Sequence, residues 1–129
     1  MFKKMINDVV ETCEQLAKSQ QEEWIWVEGY KGTDKDMKCN GYQYELGKQH
    51  DMPEGVEVRV CIDGFHLCKT IEQVFNYYPI GHDNRFFKVK ALVRKTEWDL
   101  CNNDHSYFGD NKCVSKSIIF ERELTLDEI

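Results

Sequence analysis

The sequence predicts one α+β domain: a mostly antiparallel sheet with an N-terminal helix and a short central helix packed on it. Three observations predict it. Residues 3–20 place Ile6, Val9, Val10, Cys13, Leu16 and Ala17 at the i, i+3, i+4 spacing of one helical face. Residues 56–62 alternate instead, with Val56, Val58, Val60 and Ile62 opposed to Glu57, Arg59 and Cys61. Residues 85–95 alternate again, with Phe87, Val89, Ala91 and Val93 on one face and Lys88, Lys90 and Arg94 on the other. Read along the chain, the order is helix, strands, helix, strands, which argues for helices laid on an antiparallel sheet.

The elements follow in order. The polar run Ser19 to Glu23 ends the first helix, and the aromatic, β-branched stretch Trp24 to Tyr30 reads as a strand. Lys31 to Asp36 is a polar turn, Gly41 to Leu46 a short strand, and Gly47 to Gly55, which contains Pro53, a loop. After the alternating strand 56–62, Asp63-Gly64 turns the chain into a second short strand, Phe65 to Cys68. Thr70 and Gln73 have the spacing of a capping box, with Ile71, Val74, Phe75 and Tyr78 as the helical stripe behind it. Val58 and Val60 are expected to pack on this helix through Val74 and Phe75. Pro79 and Gly81 stop it. A long strand over 85–95, a polar loop over 99–112 and a final strand from Cys113 to Leu124 complete the chain. Thr125 to Glu128 repeats the capping pattern with no helix behind it. Residues 1–22 are thus the N-terminal helix and residues 23–129 a single α+β domain.

A chain of 129 residues suits one domain. With 41% hydrophobic and 31% charged residues, it has the composition of a globular chain and not of a disordered one. The longest apolar runs are a few residues, such as Ile118 to Phe120, far short of the roughly 20 a membrane helix needs. The N-terminus has no apolar stretch of the signal-peptide kind, so a cytoplasmic address is expected. In that compartment the six cysteines read as buried thiols, metal ligands or a nucleophile rather than as disulfides. The net charge of −6 does not draw the chain to nucleic acid, and it suits a basic groove on a protein partner.

Two constellations carry chemistry. The first is Cys39, Cys61, His66 and Cys68, a donor set for a structural zinc. Residues 66 and 68 share a face of their strand, Cys61 precedes the Asp63-Gly64 turn, and Cys39 lies at the end of the polar turn. Cys101 and Cys113, which flank the 99–112 loop, are the substitutes. The second is the pair Glu121 and Glu123, which share a face of a regular strand. With Tyr30-Lys31-Gly32-Thr33 after the first strand and Leu67-Cys68-Lys69-Thr70 between, the pair resembles the layout of ADP-ribosyltransferases. The resemblance implies an NAD-using enzyme with Lys31, Glu121 and Glu123 at its catalytic positions. Lys31 stands where those enzymes carry Arg or His, and their serines are absent. The basic residues Lys88, Lys90, Arg94 and Lys95 read as the outward face of an edge strand. His50, His82 and His105 read as isolated loop histidines.

The segments Cys39-Asn40-Gly41-Tyr42-Gln43-Tyr44-Glu45 and Gly64-Phe65-His66-Leu67-Cys68 resemble a small, uncharacterised domain family found in phages, prophages and gut bacteria. That resemblance implies a setting, not an activity. Phage-borne accessory proteins bind and disable host factors. The expectation from sequence is therefore an acidic interaction protein that inhibits a host defence protein, in the manner of an anti-CRISPR, stiffened by zinc. Its partner would be a nucleic-acid-guided nuclease of the host cell, with no direct contact to nucleic acid and none to membrane. The alternative is the ADP-ribosyltransferase-like enzyme.

Overall fold

The computed structural model describes residues 23–59, 63–101 and 112–129, and the helix expected over 3–20 lies outside them. The described chain is mostly antiparallel β-sheet, not the expected α+β arrangement. Seven strands carry it: β1 (Trp24–Thr33), β2 (Lys38–Cys39), β3 (Tyr42–Gln43), β4 (Gln49–Asp51), β5 (Phe65–Leu67), β6 (Arg85–Arg94) and β7 (Cys113–Glu123). Two helices are short: α1 (Ile71–Val74) and α2 (Lys95–Leu100).

The main sheet runs β1-β6-β7-β4, and β5 joins β7 as well. β1 and β6 are in register over their full length, from Trp24 opposite Arg94 to Thr33 opposite Arg85. β4 and β5 divide the far edge of β7 between them, β4 opposite residues 117–119 and β5 opposite residues 113–115. A second, two-stranded ribbon joins β2 to β3. Its turn is Asn40-Gly41, at φ 50° and 82°, the paired left-handed conformation of the tightest hairpins.

The apolar face that the alternation in 85–95 predicted is the core. Phe87, Val89, Ala91 and Val93 are at most 1% exposed, packed with Ile118 and Phe120 of β7, Phe65 and Leu67 of β5, and Tyr44. Phe86, next to Phe87 and therefore on the opposite face, anchors a smaller cluster with Cys68 and Val74. α1 covers that cluster. Its capping box forms as the sequence indicates: the Thr70 side chain accepts from the Gln73 amide, and the Gln73 side chain accepts from the Thr70 amide. The helix nevertheless lasts four residues. Phe75 and Tyr78 follow it in a turn and still pack on the cluster, which is why the stripe looked helical.

The alternating run 56–62 forms no sheet strand among the described residues, and residues 60–62 lie outside them. Among the described residues Arg59 pairs with Asp63 across an isolated bridge, and Val56 is 40% exposed. The reason is topological. β6 occupies one edge of β7, while β4 and β5 occupy the other, so a further strand finds no ladder there. Val58 is buried, but near Gly64, and its carbonyl accepts from Arg94. It belongs to neither of the two clusters, so the expected contact with Val74 and Phe75 is not the one made.

Candidate functional site

β1 and β5 meet at one point. Tyr30 and Cys68 form an isolated antiparallel bridge, and neither neighbour extends the ladder. Beyond it the strands part, and a cavity of about 610 Å³ opens there. That volume falls in the range of small-molecule sites, which span roughly 300–1,000 Å³. Lys31 and Gly32 form one wall, Phe65 to Cys68 another, and Cys39, Tyr44 and Tyr78 close the interior.

Each wall has a local cause. Lys31 sits opposite Phe87, so it points with Phe87 into the sheet's interior. Gly32 leaves room for the ring of Tyr78, since a Cβ on Gly32 would come within 2.8 Å of the Tyr78 Cβ and Cγ. The Asn40-Gly41 turn folds Cys39 back over β1, where its sulfur accepts a hydrogen bond from the Tyr78 hydroxyl at 2.8 Å.

Lys31 is only 5% exposed. Its amine donates to the His66 main-chain carbonyl and lies 5.3 Å from the centre of the Tyr44 ring. Among the described residues no carboxylate forms an ion pair with it. Desolvation lowers its pKa, and Lys112 adds to the effect. The nearby Cys39 and Cys68 oppose it, because a thiolate would favour the ammonium. Burial also raises the pKa of Tyr44 and of Tyr78, so both remain hydroxyl donors at neutral pH.

The zinc expectation divides. Cys39, His66 and Cys68 all reach the cavity wall, and Cys61 lies outside the described residues. Among the described residues no three His, Cys, Asp or Glu side chains come together as a metal-holding group. The proposed substitutes are engaged otherwise: Cys101 and Cys113 are paired as a disulfide, with Cα atoms 6.1 Å apart. That corrects the reading of all six cysteines as thiols or ligands.

The transferase layout also divides. Lys31 lines the cavity with Leu67 and Cys68, whereas Lys69 and Thr70 are not among its lining residues. Glu121 and Glu123 do not join them. The register of β6 on β7 slips between Lys88 and Val89, whose partners are Arg122 and Phe120, and Glu121 is the residue left over. Glu121 pairs with Lys90, whereas Glu123 takes both arms of Arg85. Lys90 and Arg85 lie on opposite faces of β6, so the two carboxylates part. A regular strand would have kept them together. The sequence reading also misplaced His50. It is buried on β4, bonded to the Tyr42 hydroxyl at 3.1 Å and accepting from the Glu45 amide at 3.1 Å.

The tyrosines of the cavity were missed by sequence reasoning. The signal for them was present, since Asn40-Gly41 marks a hairpin that carries Tyr42 and Tyr44 back towards β1.

Residues 27–129 match the family model described as a domain of unknown function (DUF7666), and the chain belongs to that family. The description assigns no activity, and nothing in it bears on a phage setting. No curated protein and no solved structure matches the chain. Among the described residues no helix is long and apolar enough to cross a membrane.

Proposed function

We propose that this domain is a binding module whose ligand is a small, planar, hydrogen-bonding molecule held in the Lys31 cavity, without transfer chemistry. One observation carries the reading: a buried amine with no carboxylate partner among the described residues faces a ligand-sized cavity ringed by tyrosines. Aromatic walls supply apolar and stacking contact, and a few fixed donors set orientation. The likeness to ADP-ribosyltransferases makes NAD the first ligand to test, with its nicotinamide end against Lys31 and Tyr44. The separation of Glu121 from Glu123 is what argues against catalysis, because the paired carboxylates of that layout act from one face.

Calorimetric titration with NAD tests it. The expected result is one site per chain, unchanged in Glu123→Gln, with no NAD consumed on long incubation. Absence of binding by NAD and by nicotinamide at millimolar concentration contradicts the choice of ligand. Steady release of nicotinamide contradicts the absence of chemistry.

A further inference from the structure

We infer that the Lys31 side chain is a nucleophile that captures an aldehyde or ketone ligand in the cavity as an imine. The inference deepens the binding reading. It rests on the cavity being the ligand site, and it does not require the ligand to be NAD.

The argument starts from the geometry of Lys31. A lysine in water is an ammonium and has no lone pair to offer. Lys31 is 5% exposed, carries no carboxylate partner among the described residues, and looks into a cavity large enough for a reactant. Desolvation of this kind favours the neutral amine, and such lysines form Schiff bases with carbonyl compounds. One hydrogen bond, to the His66 carbonyl, fixes the amine while leaving its lone pair available. That bond also anchors Nζ between β1 and β5, so an incoming carbonyl meets a positioned nucleophile and not a swinging chain.

The reaction balances without an oxidant or reductant. The Nζ lone pair forms a bond to the carbonyl carbon, and the carbonyl oxygen takes up a proton. The resulting carbinolamine then breaks its C–O bond and releases water, while the nitrogen gives up its remaining proton. One amine and one carbonyl become one imine and one water.

The cavity also sets which carbonyl compounds fit. Tyr44 and Tyr78 favour a flat, aromatic body. Surface lysines such as Lys35, Lys38 and Lys48 are exposed, so they offer neither enrichment of the neutral form nor a pocket.

The test incubates the whole chain at pH 7 with pyridine-3-carbaldehyde and cyanoborohydride, which traps an imine as a stable secondary amine. Peptide mapping by mass spectrometry then reads the site. The expected result is an adduct on Lys31 that exceeds the adduct on every exposed lysine, because desolvation enriches its neutral amine. Nicotinamide in excess should slow that adduct and leave surface labelling unchanged. Lys31→Arg should abolish it, while Lys48→Arg and Lys69→Arg should not. Labelling that follows exposure alone, with Lys31 unmodified in the wild-type chain, overturns the inference and needs no variant to fold. If NAD binds but Lys31 stays unmodified, the imine fails and the binding reading stands. If Lys31 is labelled but NAD does not bind, the choice of NAD fails and the imine stands.

Discussion

Tyr30 and Cys68 exchange both main-chain hydrogen bonds, Tyr30 N–H to Cys68 O at 2.8 Å and Cys68 N–H to Tyr30 O at 2.9 Å. This single rung ties the first strand to the corner between β5 and α1. Past it Lys31 and Gly32 of β1 separate from His66 and Leu67 of β5, and the gap is the cavity. The function read here depends on that one rung holding while its neighbours stay apart.

Gly32 lets Tyr78 pack directly against β1. An added methyl would press on Tyr78 at 2.8 Å, in contact with the body of the ring and not the end of a flexible chain. Gly32→Ala should therefore destabilise by about 1–3 kcal/mol, the usual cost of overpacking. It should also displace Tyr78 and weaken ligand binding. Chemical denaturation with calorimetry on the same sample checks both. Unchanged stability and unchanged binding would place Tyr78 elsewhere.

Lys31 should leave a pH signature. Its folded pKa is lowered from 10.5 by desolvation. Between the lowered value and 10.5 the unfolded chain binds the proton more tightly, so stability rises with pH across that window. Below the window the wild type bears the cost of a poorly solvated amine. Lys31→Met lacks the effect, so the wild type should gain on it as the pH approaches about 10.5, by up to about 1.4 kcal/mol per pH unit within the window. Tyr44 and Tyr78 titrate in both proteins, which removes them from the comparison. Melting curves at a series of pH values measure the difference. A gap that stays flat would mean Lys31 is solvated.

Elemental analysis bears on the cysteines. The cavity reading expects no stoichiometric zinc, because Tyr78 already holds the Cys39 sulfur and the Cys101–Cys113 pair is closed. About one zinc per chain, lost in Cys68→Ser, would instead restore the four-ligand centre of Cys39, Cys61, His66 and Cys68.

Much of this was legible in the residues. The apolar alternation of 85–95 gave the core face, and Thr70 with Gln73 gave the start of α1, because both depend on neighbours within a few positions. What failed depended on distant partners. Residues 56–62 alternate well, but β4 and β5 hold the edge they would need. The Glu121–Glu123 spacing matches a motif, but a bulge in β7 turns one carboxylate to the other face. The α+β assignment leaned on two helical patterns. One lies outside the described residues, and the other ends after four residues although its apolar stripe continues. The identity of a protein target came from net charge and resemblance, neither of which places a residue.

The most direct measurement is an amide NMR titration of the isotope-labelled chain with NAD and with nicotinamide. The account predicts shifts centred on Lys31, Gly32, Tyr44, Cys68 and Tyr78, with little change at Lys90 and Glu121, which do not line the cavity. Shifts confined to the shallow groove of Trp26 and Ile119, or none with either compound, would contradict it.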